Sequence, residues 1–196
     1  MKTRTLASRS AGAKTRRAPT LTVTDTRRMP DPAAAAAALP RGAAIVFRHY
    51  DAPNREALGV RLAAVCRRRG ITLLVAGDWR LAARLGADGL HLPEGLARHG
   101  VLSPALAWRR RTGGLLAVAA HDRGALAVAA RLKADVALLS PVFPTSSHPG
   151  AATLGPWRAS LWTREAPVPV LALGGMNPHR MRRLAGVAGW AGTGLA

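Results

Sequence analysis

The sequence predicts an α/β fold, a compact (β/α)8 TIM barrel, on three observations. Eight short apolar runs, centred near residues 22, 46, 74, 91, 117, 139, 171 and 191, recur along the chain with β-branched and small residues in them. Stretches of helical composition separate these runs, and parallel strands need crossovers of that kind. No Gly-x-Gly-x-x-Gly follows the first run, which disfavours a doubly wound dinucleotide fold. A barrel of parallel strands carries its chemistry at the C-terminal strand ends.

Residues 1–19 hold Lys2, Arg4, Arg9, Lys14, Arg16 and Arg17 with no acid and no apolar stretch, so they read as a disordered basic leader. An organelle transit peptide would have a similar composition. A single barrel domain is expected over 20–196. Its first strand is Leu21 to Thr24, and its first helix is the alanine run Ala33 to Ala38, with Pro32 suited to the opening turn. The second strand, Ala44 to Phe47, delivers Arg48, His49, Tyr50 and Asp51. Asn54 is expected to cap a helix running to Arg69, which Gly70 then ends in a left-handed turn.

The alternation continues with strand Ile71 to Ala76, helix Trp79 to Leu85, a turn at Asp88-Gly89 and strand Gly89 to Leu92. A helix reaching Arg111 leads to strand Leu115 to Ala119, helix Arg123 to Lys133 and strand Val136 to Val142. Helix Pro156 to Arg164, strand Val168 to Leu173, helix Pro178 to Ala185 and strand Trp190 to Thr193 complete the series. The last helix is therefore expected to be missing, which leaves an edge for a homodimer partner to cover or for solvent to soften.

The chain carries 29 Lys+Arg against 10 Asp+Glu, a formal net charge of +19, which favours anionic partners. Phosphorylated small molecules suit it better than nucleic acid. The runs Arg67 to Arg69 and Arg109 to Arg111 precede glycines at helix ends, where cations complement the dipole, and no aromatic residues interleave as a stacking platform needs. The single Cys66 excludes an intrachain disulfide and suits a reducing, cytoplasmic interior. No apolar run has the length of a membrane span. The six His show neither His-x-x-x-His nor His-Glu-x-x-His spacing, which argues against zinc.

Three strand ends share one design. The run at 136–142 breaks into Phe143-Pro-Thr-Ser-Ser-His-Pro-Gly150, while the runs at 171–173 and 190–192 end in Gly174-Gly175 and Thr193-Gly194. Glycines let backbone N–H groups approach an anion with no Cβ in the way, so the three ends are expected to form one phosphate pocket. Strand-end positions yield Arg48, His49, Asp78, His91, His121, Thr145, Ser147, His148, Gly174, Gly175, Thr193 and Gly194 as candidates, with Glu94 one step further out. Asp78 is the clear carboxylate among them and the one weak candidate for a metal ligand. His121, followed by Asp122, suits either proton transfer or a hydrogen-bonded loop. His148 suits either a phosphate contact or an exposed loop, and His91, in Leu90-His-Leu92, reads as a satisfied structural histidine.

These pieces together resemble the thiamine phosphate synthase and TenI superfamily. The residues that carry the resemblance are Gly86-Ala-Asp-Gly-Leu-His-Leu92, Ala134-Asp135, Ser140-Pro-Val-Phe-Pro-Thr145, Gly155, the stretch 167–175 and Asn177. The resemblance implies a thiazole phosphate held by Thr145, Ser147, Gly174, Gly175, Thr193 and Gly194. It also implies a pyrimidine diphosphate side, where this chain departs from the pattern. The usual Gln-x-Arg-x-Lys reads Val46-Phe-Arg48-His-Tyr50, the second metal-binding Asp falls at Leu96, the loop Lys is His148, and a Ser two positions before His121 is Ala119. With Arg48, Asp78 and His148 left on that side, the sequence alone favours a TenI-like thiazole tautomerase that moves a proton through His121 and needs no cofactor. Thiamine phosphate synthase, with Mg2+, is the first alternative, and a non-catalytic phosphate-binding or regulatory barrel is the second.

Overall fold

A computed structural model describes residues 20–145 and 150–192. Eight parallel strands close on themselves in sequence order: β1 (Thr20–Val23), β2 (Ala44–Phe47), β3 (Thr72–Ala76), β4 (Gly89–Leu92), β5 (Leu115–Ala120), β6 (Val136–Leu139), β7 (Val170–Ala172) and β8 (Gly189–Gly192). β8 pairs back onto β1 with Leu21 opposite Ala191. The intervening helices are α1 (Pro32–Ala38), α2 (Arg55–Arg69), α3 (Trp79–Leu85), α4 (Glu94–His99), α5 (Ser103–Thr112), α6 (Arg123–Arg131), α7 (Gly155–Glu165) and α8 (Pro178–Met181). None of them is long and apolar enough to cross a membrane.

Alternation along the strands divides the core in two. Leu21, Val23, Val46, Leu74, Ala76, Ala117, Leu138, Leu171 and Ala191 fill the barrel interior. Their neighbours, among them Ile45, Phe47, Leu73, Val75, Leu116 and Val118, pack outward against the helices with Leu62, Leu81 and Trp108. Followed in steps of two residues along each strand, the interior set leads at the C-terminal mouth to Arg48, Asp78, Ser140 and, past Ala119, His121.

Several local expectations are corrected. Asn54 makes no side-chain cap; α2 starts beside it, and Leu58 N–H bonds the Asn54 carbonyl instead at 3.0 Å. Asp88 is a strand tie rather than a simple turn: its Oδ2 accepts from Leu73 N at 2.9 Å, while its own N–H donates to the Leu73 carbonyl at 2.9 Å. Asp135 repeats the device on Leu116, at 2.7 and 2.8 Å, with Arg109 at 3.0 Å. The single helix expected before Arg111 is two, α4 and α5. β7 begins only after Pro169, which has no N–H for a ladder. α8 is one turn, shorter than expected.

Candidate active site

The β6 and β7 ends meet. Val142 N–H donates to the Leu173 carbonyl at 2.9 Å and Phe143 N–H to the Gly174 carbonyl at 3.1 Å, so the loop carrying Thr145 lies along the glycine turn. Both glycines are required there. Gly174 has φ +90° and Gly175 φ +61°, and a Cβ on Gly175 would stand 2.3 Å from the Pro144 carbonyl oxygen. Arg180 fastens the corner, with Nη1 2.5 Å from the Gly175 carbonyl and its guanidinium 5.1 Å from the Phe143 ring centre. The Thr145 loop and the Gly174–Gly175 turn thus lie together on one side of the mouth. Ser147, His148, Thr193 and Gly194 lie outside the described residues.

His121 stands at the end of β5 with its side chain 53% exposed. Its Nδ1 lies 2.5 Å from Glu94 Oε2, and the same oxygen accepts from His121 N–H at 2.8 Å. Arg98 Nε donates to the other Glu94 oxygen at 2.7 Å, and its Nη2 donates to Asp122 Oδ1 at 2.5 Å. Asp122, which caps α6 through Ala125 N at 2.7 Å, is held below the usual carboxylate range, first by that bond and then by Arg98. The histidine is therefore not the cap. The two contacts to one carboxylate oxygen fix the orientation of the imidazole at the end of β5. Glu94, placed by the sequence one step beyond the strand ends, is brought by strand order to a histidine 27 positions away, a contact that spacing alone does not give.

Across the mouth, Arg48 Nη2 pairs with Asp25 Oδ2 at 3.0 Å and its Nε donates to the Thr24 carbonyl at 3.3 Å. His49 points the other way and is fully buried: Nε2–H donates to the Met29 carbonyl and Nδ1 accepts from the Thr24 hydroxyl, both at 2.9 Å. Burial pushes its pKa down, and its role is to lock the β1 and β2 ends. His91, expected to be satisfied, is not. It lies 6% exposed among interior residues of β3 and β5, opposite Ala76 and Ala117, with Nδ1 lacking a hydrogen-bond partner, and burial pushes its pKa down to about 4. Ala119, Ser140 and Leu173, on the same inner face, are partly exposed, so the interior opens beside β5, β6 and β7.

The model of the family described as thiamine monophosphate synthase matches residues 20–194. The chain belongs to that family. Among its relatives are the thiamine-phosphate synthase of Thioalkalivibrio sulfidiphilus, 33% identical over 74% of this chain and 69% of the other, and the putative thiamine-phosphate synthase of Geobacter sulfurreducens, 34% identical over 77% and 70%. A solved thiamine phosphate pyrophosphorylase from Pyrococcus furiosus shares the fold, with a TM-score of 0.71 at 23% identity over 89% of this chain and 84% of that one.

Family membership raises the question of Mg2+, and the residues present do not fit a resident ion. Asp78 Oδ1 accepts from Leu81 N at 2.9 Å as the α3 cap, and Oδ2 faces Arg55 Nη1 at 3.7 Å. Where the family pattern has its second carboxylate, Leu96 packs against the hydrophobic core. Among the described residues no three His, Cys, Asp or Glu side chains gather as a ligand set.

Proposed function

We propose that this chain makes thiamine phosphate, joining a pyrimidine diphosphate to a thiazole phosphate with release of pyrophosphate. The names of its relatives support this reading and move it ahead of the proton transfer that the sequence alone favours. The observation that carries it is the division of the mouth. A glycine turn with the Thr145 loop beside it suits a monophosphate on the β6–β7 side, and guanidinium groups at the β1–β3 ends suit a diphosphate on the other.

In the reaction, the bond between the pyrimidine methylene carbon and the diphosphate oxygen breaks, and its electron pair leaves with pyrophosphate. The thiazole ring nitrogen then donates its lone pair to the methylene carbon. Thr145, Ser147, Gly174, Gly175, Thr193 and Gly194 would hold the thiazole phosphate so that this nitrogen faces inward, while Arg48 would attract the diphosphate, assisted by His148.

A second reading, thiazole tautomerisation, is favoured by the His121–Glu94 pair, because moving a proton between ring positions is work for one oriented imidazole. Incubating the protein with pyrimidine diphosphate and thiazole phosphate, and separately with the non-aromatic thiazole phosphate carboxylate, separates the two. Thiamine phosphate in the first reaction supports the synthase. Aromatisation in the second, lost in His121→Ala, supports the tautomerase. Tight binding with neither product would leave a non-catalytic phosphate-binding barrel.

A further inference from the structure

Arg55 occupies an unusual place. It is the first residue of α2, where the positive end of a helix disfavours a cation, and its guanidinium turns back over the end of β3. Nη2 donates to the Ala76 carbonyl at 2.7 Å, Nη1 lies 3.7 Å from Asp78 Oδ2, and Nε is buried without a partner. The group sits 5.4 Å from the Tyr50 ring centre and 5.7 Å from that of Phe47, with the side chain 18% exposed. So placed, the side chain is built into the rim instead of waving in solvent. Tyr50 is the residue standing where the family pattern has a lysine.

We infer that the Arg55 guanidinium supplies, at Asp78, the positive charge that a divalent cation would otherwise bring, and that this rim holds a diphosphate without metal. Three observations agree. Asp78 already has both oxygens engaged, one by a helix cap and one facing Arg55. The position for a second carboxylate is taken by Leu96, a core residue. The neighbouring charges leave a cationic surplus, since Arg28 and Arg48 both act on Asp25 while Arg55 faces Asp78. A guanidinium is also a planar donor array matched to phosphate oxygens, and its orphaned Nε–H is a donor that the fold leaves unused.

The inference rests on the synthase reading for its substrate, and the test separates the two. Inorganic pyrophosphate is titrated calorimetrically into the full chain in the presence of a chelator. Binding is expected, weakened at least tenfold in Arg55→Met and only partly recovered in Arg55→Lys, which keeps the charge but not the planar donor array, with each variant's far-ultraviolet circular dichroism checked for an intact barrel. Pyrophosphate binding that requires added Mg2+ or Mn2+, Arg55→Met binding as tightly as the parent, or no binding under either condition would each overturn the inference. Thiamine phosphate formation is assayed in parallel with and without chelator. Product that appears only with Mg2+ overturns the inference and keeps the synthase; product insensitive to chelator upholds both. Product absent under both conditions, with pyrophosphate still bound through Arg55, removes the synthase and leaves the metal-free rim standing.

Discussion

Glu94 grips His121 twice with one oxygen, 2.5 Å from the ring Nδ1 and 2.8 Å from the backbone nitrogen. The carboxylate is itself pinned by Arg98 at 2.7 Å, so the ring's orientation is set by α4 rather than by its own loop. On the tautomerase reading, His121→Ala is expected to lower aromatisation of the thiazole phosphate carboxylate by ~10²- to 10⁴-fold, the usual worth of a positioned acid–base group. Glu94→Gln keeps the contact to the backbone but loses the charge behind the imidazole. It should reduce kcat of that reaction by roughly tenfold or more with little change in KM, which steady-state kinetics would check.

His91 makes stability depend on acid. Burial, and secondarily Arg48, pushes its pKa to about 4 from an ordinary 6.5, so between those values the unfolded chain takes up the proton and the folded one does not. Stability is therefore full above about pH 6.5 and falls as the pH drops toward 4, by roughly 3 kcal/mol at 1.36 kcal/mol per pKa unit. His49, also depressed by burial, adds a loss of the same sign. Urea midpoints at pH 7.5 and 4.5 should show a smaller difference in His91→Leu than in the parent. An equal difference in both proteins would refute the assignment.

The barrel was legible because alternation of apolar runs and helical stretches is a local property, and the boundaries that drifted are where one residue overrules it. Pro169 delays β7, and Pro141 follows a β6 that stops at Leu139 rather than Val142. The corner between β6 and β7 was legible too, since glycines at strand ends mark backbone that must approach something closely, and Gly174 and Gly175 do so against Pro141 and Pro144. The other half was not. Glu94 and His121 are joined through β4–β5 pairing, and Arg55 and Asp78 through the fold of α2 over β3, relationships that no spacing rule in one dimension expresses. Asp88 and Asp135, read as a turn and a step, show the same limit: each caps a backbone N–H on the preceding strand.

That tie gives a stability prediction. Asp135 Oδ2 accepts from Leu116 N and from Arg109, with the side chain 14% exposed. Asp135→Ala strands the Leu116 backbone donor and takes the carboxylate from Arg109, which keeps its carbonyl partners, at a cost of about 1–3 kcal/mol. Asp135→Asn, which keeps one acceptor, should cost less. Denaturant unfolding orders the three proteins, and equal midpoints for the alanine and asparagine variants would show that acceptance by the side chain is not what matters.

Cys66 is 2% exposed and its thiol is pushed up to about 12, mainly by burial. The thiolate is the reactive form, so the native protein should resist alkylation at pH 8 and react fully once unfolded in guanidinium. Mass-spectrometric labelling checks this, and prompt modification of the folded chain would place the thiol at a surface.

Gly175 offers the most direct handle on the phosphate side. At φ +61° a side chain is disfavoured by backbone sterics alone, and a Cβ would in addition stand 2.3 Å from the Pro144 carbonyl and 3.1 Å from the Phe143 Cβ. The turn and the Thr145 loop would have to separate, and the Arg180 bond to the Gly175 carbonyl would shift with them. The barrel beneath is held by strand ladders that this corner does not supply, so Gly175→Ala should fold, at a cost of about 1–3 kcal/mol. Its affinity for thiazole phosphate should drop at least tenfold, while the affinity of the Arg55 rim for pyrophosphate stays within about twofold, because distant sites that share no partners behave additively. Calorimetric titration of both ligands measures the contrast. A parallel loss of both affinities would show that the two sides of the mouth are one coupled unit; thiazole phosphate affinity left unchanged would remove Gly175 from the phosphate cradle.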